Sequence, residues 1–388
     1  MNSAAGVSTQ LQREVRFGDV RFDFYVCRGE GSRLELRSRL ATLDADRFVL
    51  VVDERLPAAA VADVESNLGA IAPTLAVTVA SHEQTKRLAT IDALAERAIL
   101  AGVTRRSCIV ALGGGVVGNM AGLLAGLLYR GVRLVHLPTT LLAMSDSVLS
   151  AKQAVNSREG KNHLGMFHPP VLVWNQLELL DSLPPEEIQS ALCELIKNVL
   201  CICPDRYDEV AVRLRPDACY PADVIIDFIE LCVDAKLTVM RHDPWEKHHA
   251  LVLEYGHTVG HAAELLSGGS LRHGFAIGIG MLAAARISHL LGYLSKSDEA
   301  AHRVMLERNG APTTLPRTLD LDELLRTVRF DNKRGYRRAR PGACDFILLD
   351  ALGKPHCEEG GLISQVDEVV AREAIESVMA RASPKREA

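Results

Sequence analysis

The sequence lacks the features that mark several large classes of protein. Nine cysteines are scattered along its 388 residues, but no CxxC pair occurs, so a cysteine-rich zinc module is not expected. The longest apolar run, near Met120–Tyr129, is too short to cross a membrane and contains glycines. A net charge of −5 and a pI near 6.2 argue against a general nucleic-acid-binding protein.

The amino terminus also lacks a basic start followed by an apolar core, so no secretory signal is expected. We therefore interpret the cysteines as buried, reduced thiols of a cytoplasmic protein. The chain is longer than an average domain and has no internal repeat, which predicts two domains.

Short β-rich runs alternate with helical segments in the first half of the chain. Continuous apolar strands separated by helices predict a mostly parallel sheet that is covered on both faces. The strands are predicted at Arg47–Asp53, Thr74–Val79, Ser107–Leu112, Val132–Leu137 and Val171–Trp174, with helices such as Thr90–Ala101 and Gly118–Tyr129 between them.

After residue 182 the pattern becomes helical, starting with Leu183-Pro184-Pro185-Glu186-Glu187. We predict an α/β nucleotide-binding domain with a mostly parallel sheet at 1–182, followed by a mostly α-helical domain at 183–388. Its amphipathic stretches lie at 186–203, 221–241, 250–266 and 274–293, with a small hairpin within 346–355 and a frayed tail after Met379.

A glycine-rich turn follows one of the predicted strands. Ser107–Leu112 leads into Gly113-Gly114-Gly115-Val116-Val117-Gly118, which opens a helix. In this context bare backbone can approach a pyrophosphate at a helix start, although a tight turn without a ligand is the alternative. The acid that would hold a ribose usually follows the glycines. Here Asp53, upstream at the end of its strand, is the better candidate, so the connectivity differs from an ordinary dinucleotide fold.

Polar residues gather after the strand that ends at Leu137. Thr139 and Thr140 lie at its end, and a segment of small residues follows. That segment carries Asp146, Lys152, Asn156, Lys161 and Asn162. Two lysines and two asparagines in this setting suggest an anion pocket, with a solvated loop face as the alternative.

Histidines and a carboxylate in the second half suggest a divalent-metal site. His257 and His261 lie four apart in a stretch with helical spacing, so they share a helix face. Glu194 lies about sixty residues upstream and His273 just downstream. Three such ligands with an open position are typical of a catalytic metal. The alternative is a pair of buried core imidazoles, and the spacing leaves open whether His261 or His273 completes the set.

Seven motifs between about Asp53 and Tyr336 resemble the sugar-phosphate cyclases, the dehydroquinate synthase superfamily. They are GGGVVGNMAG, YRGVRLVHLPTTLLA, SDSVLSAKQAVN, GKNHLG, CELIKN, EYGHTVGHAAE and DNKRGY. Within the superfamily the sequence is most similar to the branch that cyclises D-glucose 6-phosphate in aminoglycoside formation. The resemblance implies an α/β NAD domain followed by a helical metal domain, in agreement with the two patterns above.

The resemblance also implies roles for individual residues. It makes Glu194, His257 and His273 the metal ligands. It leaves His261, with Lys152, Glu246 and Glu254, as candidates for catalysis. Positions matching NAD contacts are Asp53, Glu83, Lys86, Gly114, Gly115, Asn119, Thr139, Thr140, Asp146 and Lys161. Positions matching substrate contacts are Lys152, Asn162, Lys197, Lys236, Lys333 and Arg130, the last reaching across a dimer interface.

Four positions depart from the pattern of dehydroquinate synthases. Ala250 and Glu254 stand where those enzymes have an Arg and an Asn before the first metal histidine. Because the Arg is the obvious partner of a substrate carboxylate, its loss fits a neutral sugar phosphate. Asn119 replaces a usual Asp. Phe275 replaces a usual acid two residues after the second metal histidine, which puts in doubt whatever role that acid plays around the metal site.

The implied reaction uses NAD as a catalyst and one divalent metal, zinc or cobalt. It runs through oxidation at C4, loss of phosphate, re-reduction and an intramolecular aldol closure to 2-deoxy-scyllo-inosose. The expected partner is a small sugar phosphate, with no nucleic acid or membrane, in a homodimer. The alternatives are dehydroquinate synthase, a valiolone-type cyclase, and more distantly a metal-dependent alcohol dehydrogenase or a non-enzymatic nucleotide-binding subunit.

Overall fold

The computed structural model describes residues 9–29, 31–158 and 160–380. The predicted fraying after Met379 falls largely on residues 381–388, outside the described part. The chain forms two compact units. The first contains residues up to Ile188 together with Tyr220–Leu237, and the second contains Gln189–Cys219 with the chain from Thr238 onward.

The first unit is built on a seven-stranded sheet with the order β1-β2-β9-β6-β5-β3-β4. An antiparallel hairpin, β1–β2, joins one edge, and all other pairs are parallel. The strands are β1 (Thr9–Phe17), β2 (Val20–Cys27), β3 (Phe48–Asp53), β4 (Thr74–Val79), β5 (Cys108–Gly113), β6 (Arg133–Pro138) and β9 (Leu172–Gln176), with a separate hairpin of β7 (Lys152–Val155) and β8 (Leu164–Phe167). This confirms the five predicted parallel strands.

Helices cover the sheet because β3 and β5 are buried along their whole length and need apolar cover on both faces. One apolar cluster contains residues of β3, β5 and α4, and a second contains residues of α1, α2 and β9. This unit contains α1 (Gly31–Ala41), α2 (Ala58–Gly69), α3 (Leu88–Leu100), α4 (Gly115–Leu127) and α5 (Leu141–Ser145), together with most of the helix at Ala222–Met240.

Helix α4 packs tightly against the β7–β8 hairpin. A Cβ at Gly122 would overlap the Gln153 side chain, and a Cβ at Gly126 would overlap Met166. The glycines after the first turn of α4 therefore serve helix–hairpin packing.

The other helices are α6 (Pro185–Cys201), α7 (Tyr207–Arg213), α8 (Ala222–Met240), α9 (His257–Leu266), α10 (His273–Leu290), α11 (Lys296–Arg308), α12 (Leu321–Val328) and α13 (Glu368–Ser377). Two small antiparallel pairs accompany them: β10 (Ala343–Ile347) with β13 (Ile363–Asp367), and β11 (Leu349–Ala351) with β12 (Lys354–Pro355). The helical second half is thus confirmed, and the predicted hairpin near 346–355 is the β11–β12 pair.

One predicted helix is divided in two. Residues His249–Glu254 form a 3₁₀ turn, and α9 starts only at His257. The break lies at Gly256, whose φ of 79° is left-handed and favours glycine. Glycine is also required there for lack of space, because a Cβ would lie 2.6 Å from Met281 of α10.

The cysteines are only partly as predicted. All nine lie in the described residues and none forms a disulfide, but Cys219 and Cys357 are exposed and Cys203 is half-buried. Within the same residues, no helix is long and apolar enough to cross a membrane.

Candidate functional site

Three side chains that could bind a metal ion meet in the second unit. Glu194 lies in the middle of α6, whereas His257 and His273 are the first residues of α9 and α10. One ligand atom of each lies within 4.8 Å of the others. Two imidazoles and a carboxylate are a common donor set of catalytic zinc and cobalt sites, so these residues fit a divalent cation.

Close helix packing brings the three ligands together. A Cβ at Gly274 would overlap the backbone carbonyl of Ser190, and the Gly274 amide donates to Ser190 Oγ at 3.1 Å. This contact sets the start of α10 against the turn of α6 that precedes Glu194. As a result His273 Nε2 lies 3.5 Å from Glu194 Oε1. His257 Nε2, at the start of α9, lies 3.6 Å from the same oxygen.

The electrostatics of the site favour the metal-binding protonation states. Burial raises the pKa of the fully buried Glu194, but Lys197 and His257 outweigh burial and hold that pKa well below 4.5. Burial, and then Lys197, lower the pKa of His257 well below 6.5. A charged carboxylate beside a neutral imidazole is the state that metal ligation needs. Lys197 pairs with Glu194 and also donates to the carbonyl of Leu253 at 2.7 Å.

Each ligand histidine has a partner at its second nitrogen. His257 Nδ1 lies 3.1 Å from the backbone oxygen of Tyr255, and His273 Nδ1 lies 2.9 Å from Glu264 Oε2. Sequence reasoning assigned no role to Glu264. Its spacing of seven from His257, which places both on one face of α9, was the available signal.

His261 lies beside the ligands but is paired elsewhere. Its ring centroid is 5.0 Å from that of His257, yet its Nδ1 faces Asp331 Oδ2 at 3.7 Å.

Asp331 also accepts from Lys333 Nζ at 2.7 Å, and Lys333 Nζ lies 3.6 Å from Glu254 Oε2. Lys333 and Asp331 are almost completely buried. Burial raises the pKa of Asp331, but Lys333 and His261 more than offset it, so that pKa lies below its ordinary 3.8. Asp331 was not predicted as a site residue, although it begins the DNKRGY motif.

Glu246 is buried and its backbone is left-handed, with a φ of 50°. Such a conformation is strained for a non-glycine residue and persists only where surrounding contacts hold it. The carboxylate of Asp243 supplies them by accepting from the backbone amides of Lys247, His248 and Ala250 at 2.6 to 3.0 Å.

In the first unit, the glycine turn has the geometry of a phosphate cradle. Gly114 caps α4 in an extended conformation, and no side chain caps this helix start. A Cβ at Gly114 would lie 3.2 Å from Thr140 Cγ2, and one at Gly115 would lie 3.5 Å from Ser147 Oγ. Bare backbone at an uncapped helix start fits the pyrophosphate of NAD.

Asp53 ends β3 near the same edge of the sheet, where β5 leads into the glycine turn. Its Oδ1 accepts from Ser81 Oγ at 2.7 Å and from the Arg55 backbone at 3.0 Å. Burial raises the pKa of Asp53, but hydrogen bonds from Arg55 and Ser81 outweigh it and lower the pKa.

The predicted anion-pocket residues form a network around Asn156. Its side-chain amide donates to Glu83 Oε2 at 2.7 Å, and its Oδ1 accepts from the backbone of Asn162 at 2.9 Å. Asn162 in turn accepts from Lys86 Nζ at 2.6 Å, and Lys161 Nζ lies 3.3 Å from Glu83. The structure thus brings together Asn156, Lys161 and Asn162 of the predicted anion pocket with Glu83 and Lys86, which were predicted to contact NAD.

Other predicted residues of this unit fall into separate contacts. Thr140 caps α5 through its hydroxyl, and the buried Thr139 follows β6. Lys236 pairs with Asp146 at 3.0 Å. Asn119 is used within the fold, because its amide donates to Gly115 O at 2.8 Å and accepts from Ala154 N at 3.1 Å.

Lys152 begins β7 and is half-buried, whereas Arg130 is exposed. Tyr129 and Arg130 both have left-handed backbones, with φ of 53° and 68°. The strained turn is held by Tyr129, whose hydroxyl donates to Val103 O at 2.9 Å and whose carbonyl accepts from Arg105 at 2.8 Å.

Comparison with known proteins agrees with this arrangement. The family profile described as 3-dehydroquinate synthase N-terminal matches residues 76–190, and the one described as 3-dehydroquinate synthase C-terminal matches 191–334. The chain therefore belongs to the dehydroquinate synthase family.

Several of its relatives are 2-deoxy-scyllo-inosose synthases. A 2-deoxy-scyllo-inosose synthase of Streptoalloteichus tenebrarius is 43% identical over 362 residues, which cover 92% of this chain and 93% of the relative. One of Micromonospora echinospora is 41% identical over 368 residues, covering 95% and 92%. A crystal structure of 2-deoxy-scyllo-inosose synthase complexed with carbaglucose-6-phosphate, NAD⁺ and Co²⁺ matches with a TM-score of 0.88 at 35% identity, covering 95% of this chain and all of that one.

Proposed function

We propose that this chain is a 2-deoxy-scyllo-inosose synthase, which converts D-glucose 6-phosphate to 2-deoxy-scyllo-inosose and phosphate in aminoglycoside formation. The similarity to synthases of this activity over nearly the whole chain carries the proposal. The Glu194, His257 and His273 set and the bare helix start at Gly114 support it.

The cofactors would be NAD and one divalent cation, zinc or cobalt. When bound, NAD takes up and returns a hydride while the cation acidifies the sugar hydroxyls. Glu194, His257 and His273 would hold the cation. The Gly114–Gly115 backbone would hold the pyrophosphate, with Asp53 at the ribose.

The remaining residues of the second unit suit proton handling. His261 Nδ1 lies 3.7 Å from Asp331 Oδ2, so a proton on Nδ1 would face that carboxylate and Nε2 would be left to accept or release one. Glu246 is a second candidate for this role. Glu254, beside Lys333, suits a hydrogen bond to a sugar hydroxyl. In the first unit, Lys152 and Asn162 would hold the phosphate.

Ala250 and Glu254 favour a neutral sugar over a carboxylated one. Ala250 is completely buried, and Glu254 places a negative charge nearby. A substrate carboxylate would find no arginine at position 250 and an acid at position 254.

We predict turnover of glucose 6-phosphate and little or none of the carboxylated heptulosonate phosphate. Purified protein with NAD and Co²⁺ should release phosphate from glucose 6-phosphate without accumulating NADH, because the hydride returns to the same sugar. Comparable kcat/KM values for both substrates would contradict the specificity. One NADH released per sugar would indicate a dehydrogenase instead.

We also propose a homodimer in which Arg130 completes the phosphate site of the other subunit. Its exposure on a strained turn supports a role outside its own fold. Arg130→Ala and Lys152→Ala proteins should each be inactive. After subunit exchange, about a quarter of the pockets should become intact, because one pocket of each mixed dimer carries both residues. Confirmed exchange without recovered activity would exclude the shared site.

A further inference from the structure

His273 is held on both sides of its ring. Its Nε2 points to Glu194 at 3.5 Å, and its Nδ1 lies 2.9 Å from Glu264 Oε2. A neutral imidazole has one donor nitrogen and one acceptor nitrogen. A carboxylate at Nδ1 keeps the proton there, so the lone pair of Nε2 stays directed toward the metal position.

The two ligand histidines are supported by different chemistry. His257 Nδ1 faces the neutral backbone carbonyl of Tyr255 at 3.1 Å, whereas His273 faces an ionisable side chain. A carboxylate acceptor strengthens the hydrogen bond and increases the basicity of the imidazole. Only the His273 support can therefore be removed by a side-chain substitution.

Glu264 lies on helix α9, whose position is fixed by packing. It lies seven residues after His257 on the same face of α9 and is only 8% exposed. Helices α9 and α10 cross at very short range, because a Cβ at Gly280 would overlap the backbone oxygen of Gly256. Glu264 lies on α9 and His273 on α10, so the crossing of the two helices sets the distance between these side chains.

We propose that Glu264 is a positioning residue of the metal site, which fixes the tautomer and orientation of His273 and thereby raises the affinity for the divalent cation. The inference rests on the proposed function in taking Glu194, His257 and His273 as metal ligands. It assigns to Glu264 the support of the second histidine that the sequence left open at Phe275.

The test is the affinity of the metal-free protein for Co²⁺. It is measured by calorimetry and by the visible absorption of bound Co²⁺. Glu264→Ala should weaken binding about 10- to 100-fold, the usual effect of losing such support. Glu264→Gln should lose less, because its amide oxygen still accepts from Nδ1. Asp350→Asn is the matched control. It removes a carboxylate 2.7 Å from Nδ1 of His356, which is not a ligand, and should stay within about twofold.

A double-mutant cycle separates positioning from general destabilisation. Because Glu264 acts through His273, the His273→Ala and His273→Ala/Glu264→Ala proteins should bind Co²⁺ equally weakly. A further tenfold loss in the double variant would overturn the inference, as would wild-type affinity in both Glu264 variants. If Glu264→Ala does not fold, Glu264→Gln decides.

The outcome is distinguishable from that of the proposed function. A wild-type protein that binds Co²⁺ but releases no phosphate from glucose 6-phosphate would refute the function and leave the role of Glu264 intact. An active wild type whose Glu264 variants bind Co²⁺ normally would refute the role of Glu264 and leave the proposed function intact.

Discussion

His257→Ala is expected to lose the divalent metal and, with it, activity. The site has three protein ligands, and the loss of one leaves a buried Glu194 and a single imidazole to bind the cation. We expect Co²⁺ binding to weaken by more than about 100-fold, the upper end of effects seen for residues behind a ligand. Metal analysis after dialysis, together with phosphate release from glucose 6-phosphate, measures both losses.

His261→Ala is the matched control, because this imidazole lies on the same face of α9 but pairs with Asp331. It should retain the metal while losing activity through proton handling. Full metal occupancy and activity in His257→Ala would refute the ligand set, and metal loss in His261→Ala alone would transfer the ligand role to His261.

Asp331→Ala is expected to cause a large loss of stability. It leaves Lys333, which is 1% exposed, as a buried charge whose closest carboxylate is gone. Breaking a buried pair in this way costs about 3–5 kcal/mol of unfolding free energy. Chemical denaturation should show this loss, and the variant should also be inactive because His261 loses its partner.

Two further variants check the physical cause. Asp322→Ala, which breaks the exposed pair with Arg372, should change the unfolding free energy far less. Asp331→Ala/Lys333→Met should recover part of the stability without activity, because it removes the unpaired Lys333 charge, although Glu254 then loses its Lys333 partner. A double variant no more stable than Asp331→Ala would contradict the explanation.

The same pair predicts the behaviour in acid. The pKa of Asp331 is lower in the folded protein than the ordinary 3.8, so the unfolded chain binds its proton first as the pH falls. The contribution of Asp331 to stability is therefore complete above about pH 5 and is lost progressively in stronger acid. The acid-side slope of stability against pH should be smaller in Asp331→Ala.

The sequence predicted the parts of the fold that depend on local apolar patterns. Strand β3 (FVLVVD) and strand β5 (CIVALG) are continuous apolar runs, and both were placed correctly. The β1–β2 hairpin was missed because only continuous apolar runs were read as strands. Val15 and Phe17 are buried between exposed neighbours, which is the alternation typical of a strand with one covered face. Helix α9 was drawn too long because helical spacing continues through the 3₁₀ turn before Gly256.

For the site, too, the sequence predicted what depends on local patterns and not what depends on packing. Motifs identified the family, and the family profiles confirm it. Spacing alone did not choose between His261 and His273, because that choice depends on how α10 packs against α6. Glu264 and Asp331 received no role, and Asn156 was assigned to an anion pocket rather than to the network it forms. Each of the three acts on other side chains, a relation that exists only after the chain has folded.

His257 and His273 are each the first residue of a helix, and these helices have 10 and 18 residues. The aligned peptide dipoles give a helix start a partial positive charge of about half an elementary charge. Two such charges at one site oppose an added proton on either imidazole. They oppose the divalent cation as well, so the buried Glu194 carboxylate has to offset both of them. They also favour the negative charge that a sugar oxygen gains on losing its proton, which places part of the catalytic electrostatics in the backbone, beyond the reach of side-chain substitution.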